Sequence, residues 1–215
     1  MTAHFAKTGN DRLTDKASVK NRLRGLLDPL VGALARLGVT PIAVTVAGLA
    51  LSLAGAALVA RGSLLSGGLV LVAAGVCDTL DGSLARRAGR ESVFGAFIDS
   101  TVDRVAEIAV FGGLILHYVD AGPGGRLPVI ACLVALMGAF LTSYTRARAE
   151  GLGFECRVGL IERPERVALI ILGLVIGGKT LAVILGLLAL LTVVTALQRV
   201  IHVRRLAAAK DRSAA

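Results

Sequence analysis

A chain of 215 residues that is 55% hydrophobic, with a mean hydropathy of +0.75, is too apolar for an ordinary soluble domain. Its formal charge of +9 would suggest a nucleic-acid partner in a soluble protein, but here the apolar residues gather into bilayer-length runs, so the charge points to cytoplasmic loops and anionic headgroups and no nucleic acid is expected. The three cysteines, Cys77, Cys132 and Cys156, are scattered without a CxxC, which argues against a disulfide framework or a zinc site.

Residues 1–18 read as a flexible polar tail, and residues 1–24 contain no apolar stretch of the kind a cleavable signal peptide needs. Over 19–38, Leu23, Leu26, Leu27, Leu30, Val31, Leu34 and Leu37 recur at helical spacing, with Lys20, Arg22, Arg24 and Arg36 on the other side. The pattern predicts an amphipathic helix lying on the membrane surface, broken or restarted at Pro29 with Asp28 as its N-cap. Six apolar segments follow, at 41–60, 64–85, 95–118, 127–147, 164–178 and 180–202. The fifth reaches spanning length only if it begins within IERPER, and a re-entrant hairpin over 164–202 is the alternative. The architecture expected is an all-α integral membrane protein, with six transmembrane helices in a domain over 39–205. It is preceded by the N-terminal amphipathic juxtamembrane helix and followed by a C-terminal tail at 206–215. Nearly all of the 24 basic residues fall in the N-terminal region, the 86–92 joint, the 146–166 stretch and the C-terminus, whereas the opposite side carries Arg61, Arg126 and Lys179. By the positive-inside rule, both termini and the 86–92 joint face the cytoplasm, in a multi-pass protein of the cell membrane.

The stretch CDTLDGSLARRAGRESVFGAFIDSTVDR, Cys77 to Arg104, places four acids in apolar sequence. Asp78 and Asp81 are spaced i, i+3 at the end of the second segment, and Ala85 shares their face. Asp99 and Asp103 are spaced i, i+4 near the start of the third. A short joint makes the two segments antiparallel neighbours, so the two pairs can meet at one membrane depth. Four such carboxylates are costly beside lipid. They can pair with arginines such as Arg86 and Arg104, serve a proton or cation pathway, or bind divalent cations. A two-metal site clamping a phosphate or pyrophosphate suits four carboxylates. Gly82 and Gly95 favour that answer, since each leaves room for a ligand near the backbone. Cys77, one residue from Asp78, points to another face and reads as a small core residue.

The spacing Asp78-x2-Asp81-Gly82-x2-Ala85-Arg86-x8-Gly95-x3-Asp99-x3-Asp103 resembles the signature of the CDP-alcohol phosphotransferase family at every fixed position. The resemblance implies a membrane enzyme, typically a homodimer dependent on Mg2+ or Mn2+, with two ions per active site. Such an enzyme transfers the phosphatidyl group of a CDP-linked lipid, CDP-diacylglycerol or an ether-lipid analogue, to a second alcohol and releases CMP. It implies that Asp78, Asp81, Asp99 and Asp103 ligate the metal, with Asp103 also the general base. It implies further that Asp78, Gly82, Ala85, Arg86 and Gly95 serve the CDP-lipid. TPIAVT at 40–45 is similar to a nucleotide-holding element of the same family, with Thr45 as the contact and Ile42 in place of its usual polar residue.

A second cluster concerns the acceptor alcohol. SYTRARAEGLG at 143–153 and VGLIERPERV at 158–167 bring Ser143, Arg146, Arg148, Arg163 and Arg166 close in sequence, and Arg199 lies late in the last segment. Arginines at a cytoplasmic face can serve anionic lipid, but several converging on one cavity make an anion pocket, and an anion pocket implies an acceptor with its own phosphate. These motifs resemble the subgroup that makes phosphatidylinositol phosphate, or its archaeal ether-lipid counterpart, from inositol 1-phosphate. That resemblance implies that residues Ser143, Arg146, Arg166 and Arg199 grip the acceptor phosphate, with Arg163 nearby. Glu150, Glu162 and Glu165 are expected to pair with the surrounding arginines. Two rivals remain: a phosphatidylglycerol phosphate synthase using glycerol 3-phosphate, and a transporter using the acids as a cation relay.

Overall fold

The computed structural model describes residues 27–89 and 91–214. Every apolar segment expected to be helical is helical, and no strand occurs among the described residues. Residues 27–36 form α1, followed by α2 (Pro41–Ala60), α3 (Leu64–Arg87) and α4 (Val93–Asp120). A short 3-10 turn at Gly122–Gly125 leads into α5 (Arg126–Gly151), then α6 (Arg163–Ile176) and α7 (Gly178–Ala214). Among the described residues, four helical stretches are by length and composition alone long and apolar enough to cross a bilayer: Pro41–Ala60, Leu64–Arg87, Gly122–Gly151 and Gly178–Arg212. The other two fall short for different reasons. α4 is 28 residues long but carries Asp99, Asp103, Arg104 and Glu107 toward its N-terminal side, and α6 has only 14 residues. α6 does begin within IERPER, and it is a helix separate from α7. The chain turns between them at Gly177, whose φ of 71° suits glycine. α7 continues past 205 to Ala214, so the segment read as a tail is helical through 214.

By contact, the chain divides into two units. The first comprises the described parts of 1–48 and 75–100. Here α1 ends in a Schellman motif: Gly38 has φ 71°, Val39 N donates to Leu34 O at 3.1 Å and Gly38 N to Ala35 O at 3.1 Å. Two residues on, Thr40 caps α2 by accepting from Ala43 N at 3.3 Å, with Pro41 as the first helical residue. Val31 is buried with Val44, Leu80 and Leu84, and Leu27 and Leu34 pack against them. Part of the apolar side of α1 is thus covered by α2 and α3. Leu27, Val31 and Leu34 face protein, while Leu30 and Leu37 are exposed. Asp28 and Pro29 are themselves helical, so neither caps nor breaks the described helix. Residues 19–26 of that expected helix, and the tail at 1–18, lie outside the described residues.

The second unit comprises 49–74 and 101–215. Phe111, Leu114, Cys132, Ala135, Leu181 and Leu185 are fully buried in its core, and α5 and α6 both pack on α7. Two glycines set the helix spacing. A Cβ at Gly113 of α4 would land on the Ala56 carbonyl of α2, and one at Gly138 of α5 on the Thr192 side chain of α7. Small residues at such crossings let apolar helices approach closely enough to pack in lipid, where apolar surface alone gives no driving force.

Candidate active site

In the first unit, the last turns of α3 carry Asp78, Asp81, Gly82, Ala85 and Arg86. Asp78 is exposed and Asp81 is buried, 5% accessible. Asp81 is held from two sides. The Thr45 hydroxyl of α2 donates to its Oδ2 at 2.7 Å, and the Gly82 amide donates to its Oδ1 at 2.6 Å. Thr45, expected to touch the nucleotide, is therefore tied to the aspartate set. Asp99, at the start of α4, offers a carboxylate oxygen within 4.8 Å of one from Asp78. Two carboxylates so close repel unless a cation lies between them, and carboxylate oxygens are the hard donors that Mg2+ and Mn2+ take. The donor set thus fits a divalent ion.

The glycines and Arg86 take defined places. Arg86 lies over Gly82, where a Cβ would come within 3.4 Å of its guanidinium, and its Nη2 donates to Ser83 Oγ at 3.1 Å. Arg86 and Arg87 line a cleft of about 400 Å³ with Asp28, Val31 and Ser83. Gly95 belongs to the cap of α4: its amide donates to Ser92 Oγ at 3.0 Å, and a Cβ there would meet the same oxygen at 3.0 Å.

Asp103 follows Asp99 by one turn of α4, so the two share a helix face. In the second unit it faces arginines: Arg163 Nη1 is 2.7 Å from its Oδ1, and Arg104 Nη2 is 3.8 Å from its Oδ2. One turn further on, Glu107 pairs with Arg166, whose Nε and Nη2 both donate to Glu107 Oε1, at 2.9 and 2.7 Å. The match is a matter of pitch. Asp103 and Glu107 are i, i+4 on α4, and Arg163 and Arg166 are i, i+3 on the first turn of α6, so the two helix faces present opposite charges in register.

The loop before α6 is fixed so that it delivers those arginines. Thr195 Oγ1 accepts from the Leu160 and Ile161 amides at 3.2 and 3.3 Å. Arg199 Nε donates to Val158 O at 2.9 Å, and its Nη1 donates to Thr142 O. Glu162 and Glu165 form a capping box at the start of α6, the Glu162 amide donating to Glu165 Oε2 at 3.0 Å. Both thus cap the helix, Glu162 also lies within electrostatic reach of Arg146 and Arg199, and Glu150 pairs with Arg146 at 2.9 Å. Ser143 accepts from Arg104 Nη1 and lies 3.0 Å from Ala139 O, to which it donates.

The second unit therefore assembles the arginines expected from sequence. Arg199 is within electrostatic reach of Arg146 and Arg166, and Arg104 of Arg163 and Arg166. Two members were not foreseen. Glu107, i+8 from Asp99 and i+4 from Asp103, is the next position on the same face. Arg104, expected as a partner for the acids, also reaches Ser143. Several guanidinium groups around one polar region, each held by a carboxylate or a carbonyl, can receive a phosphate through forked hydrogen bonds.

Comparison with known proteins bears on the aspartates and on the arginines alike. A family model described as CDP-alcohol phosphatidyltransferase matches residues 38–197. Archaetidylinositol phosphate synthase of Methanothermobacter thermautotrophicus is 37% identical over 155 residues, 72% of this chain and 74% of that protein. Phosphatidylinositol phosphate synthase of Mycobacteroides abscessus is 38% identical over 192 residues, 86% of this chain and 87% of that protein. Among solved structures, Mycobacterium tuberculosis phosphatidylinositol phosphate synthase in complex with manganese and citrate matches with a TM-score of 0.76 and 37% identity, over 81% of this chain and 87% of that one. The same enzyme with CDP-DAG bound also gives 0.76 and 37%, over 81% and 92%.

Proposed function

The chain belongs to the CDP-alcohol phosphatidyltransferase family, and we propose that it moves the phosphatidyl group of CDP-diacylglycerol onto inositol 1-phosphate, giving phosphatidylinositol phosphate and CMP. The observation that carries the acceptor assignment is the arginine cluster of the second unit, with Arg166 and Arg199 only 2% and 4% accessible. Guanidinium groups gathered in one region and held in place suit an acceptor with its own phosphate. The names of the relatives support the same acceptor, and family membership favours a transferase over a cation relay.

In this reading Asp78, Asp81, Asp99 and Asp103 hold the divalent ions, two per site, with Mg2+ or Mn2+ equally suited to the donor set. Bound there, the ions offset the charge of the pyrophosphate and improve CMP as a leaving group. Asp103 accepts the proton of the attacking acceptor hydroxyl. A new P–O bond forms to that oxygen as the P–O bond to CMP breaks. Thr45 holds Asp81 in place, and Gly82, Ala85, Arg86 and Gly95 give the cytidine nucleotide its room. Ser143, Arg146, Arg163, Arg166 and Arg199 bind the acceptor phosphate and exclude unphosphorylated alcohols. All six apolar helices span the cell membrane, with both termini and the site on the cytoplasmic side, and the enzyme works as a homodimer. The manganese and CDP-DAG complexes of the M. tuberculosis enzyme support the metal and the lipid donor.

The test is CMP release by purified protein with CDP-diacylglycerol and magnesium, comparing inositol 1-phosphate, glycerol 3-phosphate, free inositol and serine. Turnover with inositol 1-phosphate alone is expected. Turnover only with glycerol 3-phosphate would keep the arginine pocket and sink the inositol assignment.

A further inference from the structure

We infer that Glu107 is a positioning residue for the acceptor: its carboxylate fixes the guanidinium of Arg166 so that the free edge of that group meets the acceptor phosphate. The inference rests on the acceptor pocket proposed above and adds a residue outside the family's aspartate signature.

Three observations carry it. First, both partners are buried, Glu107 6% and Arg166 2% accessible. A carboxylate and a guanidinium taken out of water gain little net stability from each other, because desolvation offsets most of their attraction. What such a pair fixes firmly is geometry. Second, the contact uses one edge of the guanidinium. Nε and Nη2 both donate to Glu107 Oε1. An arginine has five N–H donors in a rigid plane, so a carboxylate on the Nε edge leaves the Nη1–Nη2 edge to form a second fork with a phosphate. Third, the carboxylate is not placed for its own best hydrogen bonding. An arginine–carboxylate pair satisfies itself best with two parallel bonds, one to each oxygen. Here both N–H groups converge on Oε1, and Oε2 is buried with no hydrogen-bond partner. A buried polar atom left over in this way calls for a reason, and holding Arg166 at a set angle supplies one.

The neighbouring contacts agree. Arg166 stands on the first turn of α6, where the capping box and the Thr195 hydrogen bonds already fix the backbone. The long arginine side chain is the remaining freedom, and Glu107 removes it. Arg199 is pinned in the same manner by two carbonyl oxygens, so the two buried arginines of the cluster are both held in advance of any ligand. Such preorganisation spares the acceptor the entropic cost of ordering them.

The experiment is steady-state kinetics on the full-length protein, with CDP-diacylglycerol and inositol 1-phosphate varied separately. Glu107→Gln is expected to raise the KM for inositol 1-phosphate by about 10- to 100-fold, the scale of a lost charge-assisted hydrogen bond. The KM for CDP-diacylglycerol should stay within about twofold, the small change expected where no contact is lost. Glu107→Asp keeps the charge on a shorter arm and should restore part of the acceptor affinity. The decisive comparison is a double-mutant cycle with Arg166→Gln. If Glu107 acts through Arg166, the double variant has the same acceptor KM as Arg166→Gln alone. That variant also leaves no uncompensated buried charge, so it folds even if Glu107→Gln does not. Additive effects in the cycle, or an equal rise in both KM values, would overturn the inference. A wild-type protein inert with inositol 1-phosphate but active with glycerol 3-phosphate would instead overturn the inositol assignment, and the cycle would then be read on that acceptor's KM with the same two outcomes.

Discussion

Thr45→Val separates two roles for the TPIAVT element. Valine keeps the shape of threonine and removes one hydroxyl. In the structure that hydroxyl lies 2.7 Å from Asp81 Oδ2, closer than to its alternative acceptor, Pro41 O, at 3.1 Å. One hydroxyl proton serves one acceptor well, and the shorter contact to a buried carboxylate takes it. Losing it leaves Asp81 with the Gly82 amide alone on its other oxygen. A hydrogen bond to a charged group contributes about 1.5–3 kcal/mol. Removing the partner of a metal-ligating carboxylate typically costs about 10- to 100-fold in metal affinity or activity. The assay is a Mg2+ titration of CMP release. The half-saturating Mg2+ concentration should rise by about tenfold or more, with the KM for CDP-diacylglycerol little changed. A variant with unchanged Mg2+ dependence and a raised KM for CDP-diacylglycerol would refute the reasoning, since Thr45 would then serve the nucleotide directly.

Arg199→Lys keeps the charge but loses the planar fork that spans Val158 O and Thr142 O. It should raise the KM for the phosphorylated acceptor about tenfold and make the 152–162 loop more open to limited proteolysis. Gly138→Leu would drive a side chain into Thr192 at the α5–α7 crossing, and overpacking of this kind destabilises by roughly 1–3 kcal/mol or more. A lowered melting temperature in detergent is the readout. Asp103→Asn is expected to abolish CMP release with every acceptor while leaving the protein folded and the melting temperature close to that of the unaltered chain.

Much of this was legible because it is local. The six apolar segments appear as helices, the first five close to their expected ends and the last running on to Ala214, since hydrophobic runs and Gly-rich joints act over a few residues. The four aspartates could be singled out because acids in apolar sequence are costly and their spacings keep them on shared faces. Three features escaped, each for a physical reason. Periodicity shows that α1 has an apolar face but not what covers it, and lipid and protein look alike to leucine; Val31 turned out to be buried against Val44, Leu80 and Leu84. Glu107 shares a face with Asp99 and Asp103, but its partner lies 59 residues away, and no local pattern names that partner. The link from Thr45 to Asp81, 36 residues apart, is of the same long-range kind.

The central claim is that a phosphorylated inositol accepts the phosphatidyl group. It is tested most directly by identifying the lipid made from CDP-diacylglycerol and isotopically labelled inositol 1-phosphate with magnesium present. The account predicts a labelled phosphatidylinositol that still carries the phosphate monoester, formed mole for mole with CMP. A labelled lipid lacking that monoester, or CMP release with no label in lipid, would contradict it.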